Sequence, residues 1–292
     1  MEAPILPDSQ QRRVPILRDV AALRAALAGW RARGETIALT PTMGALHAGH
    51  VSLVALAKAK ADRAIMSIFV NPAQFAANED FGWYPRTFDA DVELFSAAGG
   101  DAIFAPPVEE MYPQGFATAL QVGGPAAASL EDRFRPTHFS GVATVVAKLL
   151  NQCQPDVAIF GEKDFQQLRV IARIASDLDF EAKIIGAPTV REKDGLALSS
   201  RNVYLTSEER KAAPALYAAL VCCASALRGG AAMEQAVAAA RASVEAAGFT
   251  VDYIEARHAE TLAPVASTAE GPVRLLAAAK LGRTRLIDNI AV

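Results

Sequence analysis

The chain has 292 residues, of which 52% are hydrophobic, and this length and composition predict a globular protein of about two domains with a sizeable core. Its formal net charge is −3 and its basic residues are scattered, which argues against a nucleic acid partner. No apolar run reaches the about 18 residues of a transmembrane helix, and residues 1–14 lack the apolar core of a signal peptide. We therefore expect a soluble, cytoplasmic protein with a loose N-terminal tail and no membrane partner.

The three cysteines, Cys153, Cys222 and Cys223, are odd in number and lie in apolar stretches. This pattern is typical of buried, reduced thiols in a reducing compartment. We expect none of them to be catalytic.

The first two thirds of the chain alternate between helices and strands. Apolar residues at helical spacing predict a helix at 20–33, which Gly34 ends before a strand at 36–39. The same patterns predict further helices at 50–61, 90–98, 141–151 and 165–177, and further strands at 64–70, 102–105, 157–160 and 181–186. Such alternation indicates parallel strands joined by right-handed crossovers, so the predicted fold class is α/β with a doubly wound parallel sheet.

The pattern changes beyond Gly186. A capping box at residues 206–209 begins a helix that runs towards Leu227, and a second helix ends at Gly248. Three strands, at 250–257, 273–280 and 283–290, predict a small antiparallel sheet. We place a domain boundary near Pro188, between a domain of residues 1–187 and a smaller α+β domain of residues 188–292 that would cover the active site.

The segment PTMGALHAGH at residues 41–50 joins a predicted strand to a predicted helix. His47 and His50 are three residues apart, so they lie on one face of the first helical turn, near its unpaired N–H groups and the positive end of its dipole. Gly44 and Gly49 would allow an extended ligand to approach the main chain. We interpret the segment as an HxGH motif that binds the phosphates of a nucleotide.

Metal binding is an alternative that the sequence supports less well. The two motif histidines would otherwise be a packed pair or half of a zinc site, but His138 and His258 supply no further ligand at a recognisable spacing. Asp89 and Asp91, at a predicted helix start, would hold Mg²⁺ through water, although the helix dipole explains acidic residues there equally well. The metal ligands therefore stay open, with Asp91 as a weak candidate.

Polar side chains also follow two further strands. Gln74, in the segment NPAQF, carries an amide that can orient a small hydroxy acid without adding charge, or that ties down its own loop. The segment GEKD at 161–164 offers a glycine for close approach, Lys163 to a phosphate and an acidic residue to a hydroxyl, with a charged surface turn as the alternative. Gln167 lies at the start of the next helix. Because ligands bind beyond the carboxyl ends of parallel strands, we expect these residues to gather at one edge of the sheet.

A last polar loop, LSSRN at 198–202, combines two hydroxyls and a guanidinium, which suit a triphosphate; a capping or turn segment is the alternative. A turn at 194–195 would fold this loop back over the site. Arg133, Arg135 and His138 would also be able to meet an anion, but a structural role is slightly favoured.

Together these motifs resemble the pantothenate synthetases, the pantoate–β-alanine ligases. The resemblance rests on PTMGALHAGH at 41–50, FVNPAQF at 69–75, YPRT at 84–87, FGEKDFQQ at 160–167, DGLALSSRN at 194–202 and RLIDN at 285–289. It implies a Rossmann-like fold of the HxGH nucleotidyltransferase superfamily. It also implies a cytoplasmic, homodimeric ligase that uses ATP and Mg²⁺ to join pantoate to β-alanine.

The resemblance further implies roles for individual residues. His50 is the expected proton donor, and Gln74 and Gln167 would hold pantoate. The implied ATP site comprises Met43, Gly44, Ala45, Leu46, His47, Ala48, Gly49, His50, Gly161, Glu162, Lys163, Asp164, Val190, Leu198, Ser199, Ser200 and Arg201. Within it, the residues expected to act in catalysis are His47, His50, Lys163, Ser199, Ser200 and Arg201. Thr137 departs from the family, whose members often carry glycine there.

The implied reaction has two steps. The pantoate carboxylate attacks the α-phosphate of ATP to give pantoyl adenylate and pyrophosphate, and the amine of β-alanine then displaces AMP. A transferase that builds a dinucleotide is one alternative, but Gln74 and Gln167 suit a small hydroxy acid better than a mononucleotide. A nucleotide-binding regulator without turnover is another, and the retained histidines, Lys163 and the polar loop at 198–202 speak against it.

Overall fold

The computed structural model describes residues 13–76 and 79–292. The predicted loose tail at residues 1–14 lies almost wholly outside the described residues. None of the helices within the described ranges has both the length and the apolar character needed to span a bilayer.

The larger sheet has six parallel strands and confirms the predicted fold class. Its strands are β1 (Ile16–Leu17), β2 (Ile37–Thr42), β3 (Arg63–Ile68), β4 (Ala102–Phe104), β5 (Val157–Gly161) and β6 (Lys183–Ala187). They run in the order β1-β4-β3-β2-β5-β6, and every pair is parallel. The order reverses at β2, between β3 and β5, which is the place where doubly wound sheets bind their ligands.

Helices cover both faces of this sheet. They are α1 (Val20–Arg31), α2 (Ala48–Lys60), α3 (Phe88–Ala97), α4 (Val108–Met111), α5 (Glu131–Phe134), α6 (His138–Cys153) and α7 (Phe165–Asp177). Because side chains alternate along a strand, Leu39 packs in one core with α1, α6 and α7. The neighbouring Ala38 faces the opposite side, in a core with α2, and Met66 of β3 packs there with α3. Both faces are therefore buried, as the continuous apolar strands require.

The second part of the chain forms a smaller α+β unit. It contains α8 (Ser207–Ala212), α9 (Ala215–Arg228), α10 (Met233–Ala246), β7 (Thr250–His258), β8 (Val273–Leu281) and β9 (Thr284–Ala291), and the three strands are antiparallel in the order β7-β8-β9. The single helix predicted towards Leu227 is two helices, because Pro214 stands at the break and lacks the N–H that would continue the first helix. The capping box of Thr206 and Glu209 forms as predicted.

Several elements differ from their predictions at their ends or were not predicted. Helices α2 and α6 begin earlier than predicted, at Ala48 and His138, and strand β6 is shifted to Lys183–Ala187. Strand β1 has two residues, and α4 and α5 have four each. Elements this short show no periodicity, so the sequence pattern does not reveal them.

The smaller sheet is joined to helices α5 and α7 of the larger unit by a shared core and by a partly buried ion pair. Tyr253 and Leu276 of the smaller sheet pack in the same apolar cluster as α7. Arg285 donates two hydrogen bonds to the Glu131 carboxylate, at 2.7 and 2.9 Å, and the Tyr253 hydroxyl donates a third at 2.8 Å. Burial raises the pKa of the Glu131 carboxyl, but its hydrogen bonds and the charge of Arg285 outweigh burial and lower it. The large sheet ends at Ala187, and the domain boundary near Pro188 stays a prediction.

The cysteines correct one expectation. All three are free thiols, and Cys153 and Cys223 are buried as predicted, but Cys222 is exposed. Cys223 and Ala224 face the core of the smaller unit, and Cys222, about 100° away on the same helix, points outward. Burial raises the pKa of the Cys153 thiol to about 12, which makes this thiol unreactive.

Candidate active site

A cavity of about 230 Å³ lies at the carboxyl edge of the large sheet, beside β2. Its lining comes from several separate segments, within residues 41–53, 67–74, 135–149, 160–167, 188–190 and 198–201 and at Tyr84. The predicted site residues among its lining are Met43, His47, Gly49, His50, Gln74, Gly161, Lys163, Asp164, Gln167, Val190, Leu198, Ser199, Ser200 and Arg201. The predicted residues that do not line it are Gly44, Ala45, Leu46, Ala48 and Glu162. The structure therefore brings most of the predicted residues into one place.

The turn before helix α2 is held from outside by a buried carboxylate. Gly44 and Ala45 both have left-handed backbones, with φ of +84° and +51°. The Asp91 carboxylate accepts hydrogen bonds from the backbone N–H groups of Ala45, at 2.9 Å, and Leu46, at 2.8 Å. A Cβ atom on residue 44 would stand 2.9 Å from Asp91 Oδ2, so glycine fits the close approach. Asp91 thus fixes the turn that places His47 at the N-terminus of helix α2.

The hydrogen bonds and burial of Asp91 indicate whether this carboxylate is available to bind magnesium. Both of its oxygens accept backbone N–H groups, and the Thr87 hydroxyl donates a further bond at 3.0 Å. Asp91 is 3% exposed, whereas Asp89 on the same helix is exposed. Within residues 13–76 and 79–292, no group of three or more carboxylate, imidazole or thiol side chains is placed to hold a metal ion. The geometry favours a supporting role for Asp91 over metal binding.

The two histidines of the HxGH motif cap helix α2 with their rings. His47 Nδ1 accepts a hydrogen bond from the N–H of Gly49 at 3.1 Å, and His50 Nδ1 accepts one from the N–H of His47 at 3.2 Å. A neutral imidazole has one donor and one acceptor nitrogen, so the proton of each ring resides on Nε2. Since Nδ1 of each ring is occupied by the backbone, each ring has an Nε2–H to offer a ligand in the cavity that both rings line.

Burial keeps both imidazoles uncharged at neutral pH. It lowers the pKa of His47 to about 4, with the positive charge of Lys163 contributing. It lowers the pKa of His50 to about 3, with His47 and Lys163 contributing. The two rings therefore act at pH 7 as neutral hydrogen-bond donors to an anion.

The amide of Gln74 is oriented by a neighbour that the sequence analysis did not single out. Asn71 is buried and donates from Nδ2 to Gln74 Oε1 at 3.1 Å. This contact leaves the Gln74 Nε2 group to donate, and it lies 3.3 Å from Met43 Sδ. Helix α6 packs directly on this turn, since a Cβ atom on Gly141 would lie 2.2 Å from the carbonyl oxygen of Ala73. The only sequence signal for Asn71 is its position before proline, which is typical of a cap.

Arg135 and His138 hold the backbone of the same turn. His138 Nδ1 lies 3.0 Å from the carbonyl oxygen of Gln74, and Arg135 Nη2 donates to that oxygen at 3.3 Å. Arg135 also pairs with Glu79 through two bonds of 2.6 and 2.7 Å. Burial lowers the pKa of His138 to about 4, with Arg135 contributing. Both residues also line the cavity, so the choice between a structural role and an anion contact stays a prediction.

The Lys163 loop follows β5 as a 3₁₀ turn at Glu162–Asp164. Among the described residues other than Gly161 and its two chain neighbours, no atom lies within 4 Å of the position of a Cβ on Gly161, so a ligand has room to approach there. Lys163 Nζ stands 3.9 Å from Asp164 Oδ2, and both residues line the cavity. Glu162 points elsewhere, because its carboxylate accepts from Arg274 at 3.0 Å.

The two adjacent glutamines of helix α7 have different environments. Gln167 lines the cavity, as expected. Gln166 is buried and donates to the carbonyl oxygen of Pro125 at 2.8 Å and to Asp132 Oδ1 at 2.9 Å. Gln166 therefore supports the segment before α5, and only one of the two amides reaches the site.

The loop at 198–202 is tied to the HxGH turn. Ser199 caps a 3₁₀ turn at Ser200–Tyr204, and Ser200 Oγ donates to the carbonyl oxygen of Ala45 at 3.1 Å. The turn predicted at 194–195 forms with Gly195 at φ +94°. It folds the chain back so that the N–H of Leu198 donates to the carbonyl oxygen of Val190 at 3.0 Å. Both residues of this pair line the cavity.

A larger cavity of about 560 Å³ adjoins the first on the side of the smaller sheet. The two share Arg135, His138, Lys163, Asp164, Gln167, Ser199 and Arg201. The candidate site is therefore continuous with a cleft between the two parts of the chain, and it has room for more than one small molecule.

Comparison with known proteins identifies relatives along almost the whole chain. The family described as Pantoate-beta-alanine ligase matches residues 15–291. The Pantothenate synthetase of Rhodopseudomonas palustris is 61% identical over 277 residues, which cover 95% of this chain and 98% of that protein. The Pantothenate synthetase 2 of Bradyrhizobium diazoefficiens is also 61% identical, with the same coverage.

Solved structures agree with this assignment. The crystal structure of pantothenate synthetase from Thermus thermophilus matches with a TM-score of 0.90 at 46% identity and covers 95% of this chain and 99% of that one. The pantoate-beta-alanine ligase of Francisella tularensis, in complex with beta-gamma ATP and beta-alanine, matches with a TM-score of 0.79 at 32% identity, covering 95% and 97% of the two chains. Family match, sequence identity and shared architecture lead to one conclusion: the chain belongs to the pantoate–β-alanine ligase family.

Proposed function

We propose that this protein condenses pantoate with β-alanine at the expense of ATP, through a pantoyl adenylate, and releases AMP and pyrophosphate. The observation that carries the proposal is that the HxGH imidazoles, the Lys163 loop and the amides of Gln74 and Gln167 line one and the same cavity. Membership of the ligase family, and the relative solved with ATP and β-alanine, support the same reaction.

ATP would lie along the start of helix α2. The neutral Nε2–H groups of His47 and His50 and the ammonium of Lys163 would donate to its phosphates, where the positive end of the helix dipole adds to their effect. Ser199 and Arg201, on the opposite loop, would meet the triphosphate from the other side. His50 would thus act as a hydrogen-bond donor rather than as a charged acid, because its pKa is about 3.

Pantoate is a small hydroxy acid with a dimethyl-substituted carbon, and the cavity offers matching groups. Gln74 and Gln167 supply amides for its hydroxyls and carboxylate. Helix α6 contributes an apolar wall of Val142, Val145 and Val146, against which the methyl groups would pack. Alignment of its carboxylate with the α-phosphate is the main catalytic effect we propose.

Adenylation forms a bond between a pantoate carboxylate oxygen and the α-phosphorus and breaks the bond to the bridging oxygen, whose electron pair leaves with pyrophosphate. The donors from His47, His50, Lys163 and Arg201 would meet the charge that grows on the phosphate oxygens. The amine of β-alanine then attacks the acyl carbon, loses a proton to water, and expels AMP. No covalent bond to the protein is needed in either step.

Three further features are part of the proposal: Mg²⁺ as a cofactor, a homodimer, and a cytoplasmic location. Because the described residues contain no preformed metal cage, Mg²⁺ would arrive bound to the phosphates of ATP, as it commonly does. There it would neutralise phosphate charge. Sedimentation analysis of the purified protein tests the homodimer directly.

Isotope exchange tests the reaction. The protein is incubated with ATP, Mg²⁺, labelled pyrophosphate and pantoate, without β-alanine. We expect label to enter ATP only when pantoate is present, because adenylate formation is reversible. Added β-alanine should then release AMP and pantothenate in equal amounts.

Each alternative predicts a different result. A transferase that builds a dinucleotide shows no pantoate-dependent exchange, and a regulatory nucleotide binder shows no exchange at all. Exchange that requires β-alanine would contradict the two-step route, even if pantothenate were formed. The Lys163→Ala variant is the control, since it should bind pantoate but exchange label far more slowly.

A further inference from the structure

The motif RLIDN at 285–289 has no part in the proposed mechanism, yet its last residue reaches the candidate site. Asn289 lies on β9 and is 3% exposed. Its Nδ2 group donates to the carbonyl oxygens of Glu162 and Lys163, each at 2.9 Å. These two carbonyls belong to the 3₁₀ turn that presents Lys163, and the N-cap residue of this turn is Gly161, which has no side chain to cap it. A buried amide from the smaller sheet thus holds the backbone of the Lys163 loop.

The orientation of this amide follows from its other partner. Asn289 Oδ1 accepts from Arg274 Nε at 2.7 Å, and an arginine side chain only donates, so Nδ2 must face the two carbonyls. Arg274 also donates to Glu162 Oε2 at 3.0 Å and stacks over the ring of Phe165 at 4.2 Å. The side chain and the backbone of Glu162 are therefore both attached to the smaller sheet.

The preceding residue of the motif holds the opposite wall of the cavity. Asp288 forms two bonds with Arg191, of 2.6 and 2.8 Å, and also accepts from the backbone N–H of Asn289 at 2.7 Å. Arg191 directly follows Val190, which lines the cavity. Two adjacent, almost fully buried residues of β9 thus anchor two separate segments of the site.

We propose that Asn289 is a positioning residue for adenylation, which acts by fixing the loop that carries Lys163. This inference rests on the proposed function, since it assigns to Lys163 the phosphates of ATP. Without the Nδ2 donor, the backbone of the turn loses its two hydrogen bonds to the smaller sheet, and only the Arg274–Glu162 side-chain contact described above remains, so the ammonium of Lys163 is no longer set against the phosphates. A displacement of about 1 Å in such an arrangement can slow a reaction by about 100-fold.

Two variants test the role of this amide. Asn289→Asp keeps the size of the side chain and an oxygen for Arg274, but it turns an oxygen instead of an NH₂ group towards the two carbonyls. Asn289→Ala removes the amide without adding charge, and it serves if the first variant does not fold. Tyr253→Phe is the matched control, because it removes one buried hydrogen bond from the same sheet, to Glu131, without touching the Lys163 loop.

The two half-reactions are measured separately. In single turnover with saturating ATP and pantoate, we expect the Asn289 variants to form adenylate about 10- to 100-fold more slowly than the unmodified protein. Synthetic pantoyl adenylate supplied with β-alanine should be converted at the unmodified rate. The Tyr253→Phe control should show normal rates in both. A general loss of structure would slow both half-reactions, so the split between them isolates positioning.

A double variant asks whether Asn289 acts through Lys163. Adding Asn289→Ala to Lys163→Ala should slow adenylation no further than Lys163→Ala alone, because the group being positioned is already absent. If the effects of the two substitutions on the adenylation rate multiply, Asn289 acts independently of Lys163 and the inference is overturned. Normal adenylation in the folded Asn289 variants, or equal slowing of both half-reactions, would also overturn it. Failure of both Asn289 variants to fold would do the same. Absence of adenylate formation by the unmodified protein would instead refute the proposed function.

Discussion

Replacement of Asp91 by asparagine tests whether this carboxylate supports the HxGH turn or binds magnesium. The carboxylate accepts two backbone N–H groups and one hydroxyl. Asparagine retains one acceptor oxygen, so its NH₂ group must face the N–H of either Ala45 or Leu46 and leave it unpaired. A hydrogen bond to a charged group contributes about 1.5–3 kcal/mol, and the remaining bonds weaken when the charge is lost. We therefore expect Asp91→Asn to lower the free energy of unfolding by about 2–4 kcal/mol.

Thermal unfolding and isotope exchange measure the two consequences. At about 2–4 °C per kcal/mol for a protein of this size, the melting temperature should fall by roughly 4–16 °C. Pantoate-dependent exchange should fall as well, because the turn no longer holds His47 at the start of α2. Asp89→Asn is the matched control: it removes an exposed carboxylate from the same helix end, where a helix-dipole effect of about 0.3–1 kcal/mol is expected.

A magnesium titration decides between the two roles. If Asp91 supports the turn, added Mg²⁺ leaves the activity of Asp91→Asn unchanged relative to the unmodified protein. A supporting role for Asp91 is refuted if Asp91→Asn melts at the same temperature as Asp89→Asn and regains activity when the Mg²⁺ concentration is raised, since that pattern belongs to a weakened metal ligand.

Three further predictions concern the cavity. His50→Ala should fold but turn over about 10²–10³-fold more slowly, because it loses a donor to the phosphates; a near-normal kcat in the folded variant would remove His50 from the mechanism. Gln74→Ala and Gln167→Ala should each weaken pantoate binding by about 0.5–1.5 kcal/mol in calorimetric titration and leave ATP binding nearly unchanged. Weaker ATP binding with unchanged pantoate binding would contradict the assignment of these amides. Lys163→Ala should slow adenylation. Burial lowers the pKa values of the two motif histidines and of His138 to between about 3 and 4. As the pH falls, these histidines therefore take up protons in the unfolded chain before they do so in the folded protein. The stability that the neutral rings contribute is complete above pH 6.5 and is lost as the pH falls towards 4. Urea unfolding should therefore give a lower free energy at pH 5 than at pH 7, and His138→Asn should reduce the difference; a difference that His138→Asn leaves unchanged would contradict this cause.

The parts of the site that the sequence predicts are those determined by short spacing and by the geometry of parallel sheets. His47 and His50 fall on one helical face because three residues make nearly one turn. Gln74 and Lys163 reach the same cavity because both follow parallel strands, whose carboxyl ends share one edge. Neither inference needs any knowledge of which distant residues are in contact.

The supporting residues could not be found in this way. Asp91 lies 45 and 46 residues from the turn it holds, and Asn289 lies 126 residues from Lys163. Such partners are set by tertiary packing, for which one sequence carries no periodic signal. The pair Gln166 and Gln167 shows the same limit, because adjacent helical residues point about 100° apart and only the packed structure decides which one meets the cavity.

The bond between Asn289 and the Lys163 loop also affects when the site can be completed during synthesis. The ribosome adds Lys163 126 residues before Asn289, an interval of roughly 6–25 s at ordinary rates of translation. For most of this time, once Lys183–Ala187 has been added, all the strands of the larger sheet have been made, but the amide that holds the Lys163 loop has not. The nascent chain can therefore build much of a nucleotide pocket before it is able to position Lys163, and assembly of the site waits for the final strand of the smaller sheet.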